Sequence, residues 1–508
     1  MPPLRPILTA LRAGARCGGF LLLLSCERKD PFLSLEPKAQ LSVAWRADES
    51  ASSPGLELGS SGDSLVFEPS GEQLVSTAMR TWIYTDTGPR RTRLGYLRAG
   101  QIVDARGPAL KNEGCKGGWY RINPRGFVCL GLGASLDLNG PIGREAVRRA
   151  ERGKGFPYAY ALSGKKPPHR YFRLPSAREM AQVEGADALA EGRVWLERMN
   201  QSGGFALSIE PQAPAFLSEP LVKPYGSERG YRTTVHAGRA SKESAFALLG
   251  AYEHEGRAFG LTTDFDLIAL DRTRLVRPSA FHGIELQGSG GLRVGFHVRG
   301  ALSTWELLPN GQFRPQGELR EKRAFELTGS EERDAMIETS EGFWVPRAAL
   351  RILEPRSSFP SFAVGDRKWI DISIRDQALV AYEGPRAVFA TLVSTGRGEL
   401  GDPDTEQATV RGTFMIFDKS VSSTMDGEED RADSFDLRDV PFVQYFHKGF
   451  ALHGAYWHDE FGRARSHGCV NLAAQDAARL FEWTDPVVPP AWHSVMNKER
   501  GTVVIVRP

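Results

Sequence analysis

The sequence predicts a mainly β, multi-domain protein, and three observations carry that expectation. The chain has 508 residues, more than one ordinary core accommodates, so roughly two to four domains are expected. Its apolar residues fall mostly in short runs separated by glycines and charged turns, the pattern of strands rather than of long helices. The clearest run, Lys368-Trp369-Ile370-Asp371-Ile372-Ser373-Ile374, alternates with period two.

Composition narrows the class. With 41% hydrophobic and 25% charged residues, the chain reads as globular rather than disordered or membrane-embedded. A net charge of +2, with no dense basic stripe among aromatics, argues against a nucleic-acid partner. No stretch of ~18 or more apolar residues occurs, so no transmembrane helix is expected.

The first 25 residues read as an export signal. Arg5, Arg12 and Arg16 precede the short apolar run Gly18–Leu24, which is too brief to span a bilayer. The run ends Leu23-Leu24-Ser25-Cys26, which resembles the lipobox of bacterial lipoproteins. That resemblance implies lipidation of Cys26 and attachment to a membrane; ordinary signal cleavage nearby is the alternative. Glu27 in the next position favours an outer-membrane location in a cell with two membranes. Residues 26–75 are rich in Ser, Gly, Pro and Glu and are expected to be a flexible tether.

Ordered structure is expected from Ser76. Thr81-Trp82-Ile83-Tyr84, Leu94-Gly95-Tyr96-Leu97, Gln101-Ile102-Val103 and Gly118-Trp119-Tyr120 are short strand-like runs. Their order resembles a bacterial SH3-like domain over 76–135, which implies a small β-barrel that binds wall peptides or serves as a spacer. Cys115 and Cys129 fall within it, fourteen residues apart, and are expected to be either a disulfide or two unpaired core thiols. Residues 136–204 follow as a helical connector, with Ser176 and Glu179 spaced as a capping box. Residues 205–355 are β-rich and carry no chemical constellation; patches near 231–285 and 300–355 are each compatible with a further SH3-like unit. After a linker, 363–508 form a last β-rich domain, starting with hairpins over Lys368–Ser394 and interrupted by an acidic insert from Asp426 to Asp436.

Two motifs in this last domain compete for attention. Gly396-Arg397-Gly398-Glu399-Leu400-Gly401 fits the spacing of a dinucleotide fingerprint, but Asp402-Pro403-Asp404 follows instead of a helix that could receive a pyrophosphate. It reads as a hairpin loop. The stretch from Val440 to Leu472 holds His447, His453, His458 and His467, four of the ten histidines, and ends Ser466-His467-Gly468-Cys469-Val470-Asn471. A thiol attacks as thiolate, and a neighbouring imidazole can take its proton. Gly468 allows close backbone approach, and a helix over Ala473–Trp483 would anchor the segment. Zinc ligation by His453, His458, His467 and Cys469 is the rival reading, but His-x-Cys chelates awkwardly and no second thiol lies near.

His453-Gly454 followed by Ser466-His467-Gly468-Cys469-Val470-Asn471 resembles the L,D-transpeptidase catalytic domain. The resemblance runs from about Lys368 to Pro508 and includes Ser394-Thr395-Gly396, Gly412-Thr413-Phe414 and Val440-Pro441-Phe442. The loop between Gly454 and Ser466 is near the short end for that family, and Val410-Arg411 replaces its usual Thr-Pro. The resemblance implies that Cys469 is the nucleophile, His453 the general base and Gly454 the carbonyl that orients it. His467 and Ser466 would shape the site, with Gly468, Tyr456, Trp457 and Asn471 around the substrate. The implied reaction forms a thioester with a peptidoglycan tetrapeptide stem, releases D-Ala and transfers the peptide to an amine, giving a 3→3 crosslink; no metal or other cofactor is needed. The alternatives are hydrolysis of the same acyl-enzyme and a catalytically inert wall-binding scaffold. The implied location is the cell envelope, in the periplasm.

Overall fold

The computed structural model describes residues 71–508 apart from 154, 202–206, 228–233, 287–292, 321, 329–331 and 427–435. The export signal, Cys26, all but the end of the tether and most of the acidic insert therefore lie outside the described residues. The architecture is mainly β, as the sequence pattern predicts.

The N-terminal unit is a meander in which Thr81–Tyr84 pairs with Arg93–Leu97, Ile102–Asn112 with Cys115–Ile122, and Cys115–Ile122 with Phe127–Cys129. A disulfide joins Cys115 and Cys129, whose Cα atoms are 5.8 Å apart. The sequence suggests a closed SH3-like barrel here, but the strands do not close on themselves. The outer edge of Arg93–Leu97 is used by the C-terminal region instead, with Gly95 opposite Val495 and Tyr96 opposite Ser494. Gly95 permits this join, because a Cβ there would stand 2.0 Å from the Ser494 carbonyl oxygen. The two regions also share one core. Leu74, Ile83, Leu97 and Ile122 pack in the same buried cluster as Ile370, Leu452 and Trp492, and the Trp492 indole N–H donates to the Asn123 carbonyl at 2.9 Å. Gly95→Ala is expected to force these strands apart and to cost about 1–3 kcal/mol by overpacking; a lowered urea midpoint would register it.

Residues 136–204 are more than a helical connector. Helices Ala177–Glu184 and Ala188–Gln201 are present, and Ser176 and Glu179 form the capping box reciprocally. Gly185, at φ +105°, divides the helical stretch in two. But Ala159–Ser163 and His169–Tyr171 are strands, and they join Ser244–His254, Arg257–Thr262, Leu267–Ala269 and Thr273–Leu275 in a single sheet. The patch near 231–285 is therefore part of a larger middle sheet rather than a free-standing small barrel. Its long strand, Ser244–His254, also runs parallel to Asp436–His447, with Ala245 opposite Leu437. Residues 294–353 form a separate pair of small sheets around Leu302, Phe325, Ile337 and Val345.

The C-terminal region has two sheets. In one, the order is Ile284–Glu285, Arg386–Leu392, Ala378–Glu383, Lys368–Ser373, Val503–Arg507 and Gly412–Met415. The alternation in Lys368–Ser373 places Trp369, Ile370 and Ile372 in cores. In the other, Asp418–Asp426, Asp436–His447, Phe450–Gly454 and Val470–Leu472 are neighbours. Helix Ala474–Trp483 packs Ala477, Leu480 and Phe481 into the shared core. Residues 396–401 form a turn with no helix after it.

Candidate active site

Cys469 immediately precedes the strand Val470–Leu472, which runs parallel to Phe450–Gly454 with His453 opposite Asn471 and Gly454 opposite Leu472. Residues directly opposite in neighbouring strands share a face, so Asn471 projects on the face that carries His453, and Cys469 stands just ahead of the Asn471 strand. All three line one cleft of about 800 Å³.

His453 is buried, and its Nδ1 lies 3.2 Å from the Gly454 carbonyl oxygen. A carbonyl only accepts, so this bond requires the proton on Nδ1 and leaves Nε2 with its lone pair free. Burial pushes the imidazole down to about 4, against the opposing pull of the Gly454 carbonyl. Burial likewise pushes the Cys469 thiol up to about 11, with the Ala451 backbone bond acting the other way. The side chain is half-buried and its Sγ donates weakly to the Gly449 carbonyl at 3.6 Å. Burial therefore favours the uncharged form of both the thiol and the imidazole. The consequence can be tested with iodoacetamide: its reaction at Cys469 should rise about tenfold per pH unit through the alkaline range and level off only near pH 11. An unperturbed cysteine would level off above about pH 8.5.

The turn before the nucleophile is held from two sides. Arg465 and Ser466 donate backbone N–H bonds to the Thr395 carbonyl at 2.8 and 3.0 Å, and the Arg397 N–H donates to Ser466. The Ser466 hydroxyl accepts from the Gly468 N–H at 3.0 Å and bonds the Cys469 carbonyl. Thr409, which nothing in the surrounding sequence marks, accepts from the Gly396 N–H and donates to the Gly468 carbonyl at 2.7 Å. Gly468 sits at φ +133°, and a Cβ there would meet the Phe450 ring at 2.9 Å. A glycine is thus required for both conformation and space.

The other residues singled out in the sequence divide. Trp457 lines the cleft, with its ring 5.7 Å from that of His453. Asn471 lines it too, and its side-chain amide is 2.9 Å from His458 Nε2. His467 stands exposed on the rim, with Nε2 against the Arg397 guanidinium. Tyr456, expected around the substrate, is not in the cleft wall. It is buried, stacked on Tyr160 of the middle sheet at 4.2 Å, and its hydroxyl donates to the Arg438 carbonyl. Its ring is fully occupied as an inter-sheet contact. Sequence reasoning also missed that Leu162, Ser163, Ser244 and Arg274 from the middle sheet, and Lys242 and Glu243 from the turn leading into it, line the same cleft.

Residues 367–506 match the family model described as YkuD, L,D-transpeptidase catalytic domain. This region is an L,D-transpeptidase catalytic domain. Among solved structures, the chain aligns with an Enterococcus faecium L,D-transpeptidase mutant at 19% identity, over 28% of this chain and 50% of that one, with a TM-score of 0.21. An L,D-transpeptidase from Stackebrandtia nassauensis aligns at 25% identity over 30% and 62% of the two chains, TM-score 0.21. One from Mycobacterium smegmatis aligns at 20% over 36% and 82%, TM-score 0.23. The chain thus spans half the length of the Enterococcus faecium structure. No curated protein is significantly similar to it.

Proposed function

We propose that the protein is a peptidoglycan L,D-transpeptidase working through a thioester on Cys469. The observation that supports this best is that Cys469 and His453 line one cleft, with the imidazole tautomer set by Gly454. The Sγ attacks the carbonyl of the L-centre of diaminopimelate in a tetrapeptide stem while His453 Nε2 takes the thiol proton. A depressed imidazole basicity and a raised thiol make this transfer concerted with attack, since neither group is charged beforehand. The C–N bond to D-Ala then breaks, the imidazolium returns its proton to the leaving amine, and a thioester remains. A second amine attacks it, losing a proton to His453, and the departing sulfur is reprotonated. A side-chain amine of another diaminopimelate as acceptor gives the 3→3 crosslink.

Ser466 and Gly468 shape the turn before the nucleophile, Trp457 walls the donor peptide, and His467 with Asn471 borders it. Export to the cell envelope and lipid attachment at Cys26 belong to the same reading, resting on the N-terminal sequence alone.

The test is to incubate the purified full-length protein with a disaccharide-tetrapeptide and follow intact-protein and product masses. D-Ala release, an acyl adduct on Cys469 and a 3→3 dimer are expected. Release without a dimer would turn the reading to hydrolysis. A stem peptide bound but left intact would favour the inert scaffold and overturn the enzyme.

A further inference from the structure

The cleft of the transpeptidase domain is completed by the middle sheet, and the join is a continuous row of paired residues. Arg274 stands opposite Leu162, Leu162 opposite Ala245, and Ala245 opposite Leu437. Residues directly opposite in neighbouring strands project on the same face. Leu162 and Leu437 line the cleft, and the row brings Arg274 to that same wall. The turn that carries Lys242 and Glu243 is tied to this wall by the Ser163 hydroxyl, which donates to the Ser241 carbonyl at 2.9 Å. These side chains therefore stand on a hydrogen-bonded sheet continuous with the catalytic one.

The charge of the cleft is one-sided. Lys242, Arg274, Arg397 and Arg465 line it against a single carboxylate, Glu243. On the catalytic side, Arg397 is engaged by Gln407 and His467, and Arg465 pairs with Glu460 at 3.5 Å. On the middle-sheet side, Lys242 and Arg274 are exposed, and neither makes an ion pair among the described residues. Cations without a partner on the wall of a concave site focus a positive potential into it. Charge of one sign in such a place recognises charge of the other sign in the ligand.

We infer that Lys242 and Arg274 are specificity-determining residues that bind the second carboxylate of the stem peptide's diaminopimelate. The preferred substrate is then a stem whose diaminopimelate keeps its second carboxylate, over one in which that group is a carboxamide. The inference rests on the transpeptidase reading for the identity of the peptide. It gives the middle region, which carries no chemical motif of its own, a part in substrate choice.

The test uses the full chain, the Lys242→Ala/Arg274→Ala double variant, and two disaccharide-tetrapeptides differing only in carboxylate or carboxamide on diaminopimelate. The wild type is expected to favour the carboxylate peptide. The double variant should lose about tenfold in kcat/KM on that peptide, mainly through KM, and less than about twofold on the amide. Raising the salt concentration should shrink the wild-type preference towards that of the variant. An equal loss on both peptides, or a preference that the double variant retains, would overturn the inference. Binding of the same two peptides to Cys469→Ala protein, with and without the two substitutions, separates this proposal from the one beneath it. If the wild type releases no D-Ala from either peptide, the transpeptidase reading falls. The binding preference in the Cys469→Ala background then still decides whether Lys242 and Arg274 read the carboxylate.

Discussion

Cys469→Ala is expected to abolish D-Ala release, and His453→Gln to lower kcat by about 10³-fold, within the range for loss of a general base. The two losses should differ in kind. Burial sets the raised thiol of Cys469, so removing the imidazole leaves the thiol where it was. His453→Gln should therefore keep the alkaline alkylation profile of the wild type while losing turnover. A resting ion pair would behave otherwise, because removing His453 would then depress alkylation at neutral pH. Cys469→Ser should be as inactive as the alanine variant, since a buried hydroxyl is a far weaker acid than the thiol it replaces. Turnover by His453→Gln within tenfold of the wild type would move the base elsewhere, with His467 on the cleft rim the next residue to substitute. His458 touches Asn471 rather than the cleft, and burial holds its imidazole down at about 4.

The chemistry of this site is legible in the sequence because it is local. Cys469 and Asn471 are two residues apart and line one cleft, and His453-Gly454 carries its own orienting carbonyl. What is not legible depends on register between distant strands. Arg274 and Leu437 are 163 positions apart in the chain, yet two intervening strands bring them into one row. No periodicity in either segment records that alignment. Tyr456 shows the same limit in reverse. An aromatic beside the histidine motif looks like cleft wall, but its partner is Tyr160, nearly three hundred residues earlier. The N-terminal unit likewise has the turns and aromatics of a small barrel, and only the Gly95–Ser494 approach shows that its edge belongs to another sheet. In the middle region, strands such as Ala159–Ser163 are five residues long and give weak signals beside strongly periodic helices.

The same junction makes Asp439 the position where substitution should cost most stability. Its carboxylate is fully buried and binds Arg98 at 2.8 Å from the N-terminal unit, Thr263 at 2.5 Å from the middle sheet, and Ser422 at 2.6 Å from its own domain. Tyr160 donates to its backbone carbonyl at 2.6 Å. Burial alone would push this carboxyl up, but Arg98 and the two hydroxyls outweigh it and hold it below the usual carboxylate range. A depressed folded value means the stabilisation is present above the unfolded carboxylate value and is lost as pH falls through the folded one, so it is intact at neutral pH. Asp439→Ala leaves Arg98, whose side chain is only 8% exposed, with Asp264 at 3.9 Å as its remaining carboxylate, and breaking the closer, buried pair costs about 3–5 kcal/mol. Asp439→Asn keeps one acceptor oxygen for a hydroxyl and should cost less. Arg98→Met in the Asp439→Leu background removes both charges of the close pair and should recover most of the loss, because the penalty lies in a buried cation left with only the more distant Asp264. Denaturant melts of the single and double variants measure the coupling. Additive losses would mean that the three regions are held by their apolar core alone. Recovery in the double variant would show that Arg98 and Asp439 act as one unit beneath Leu437, the cleft residue two positions along the same strand.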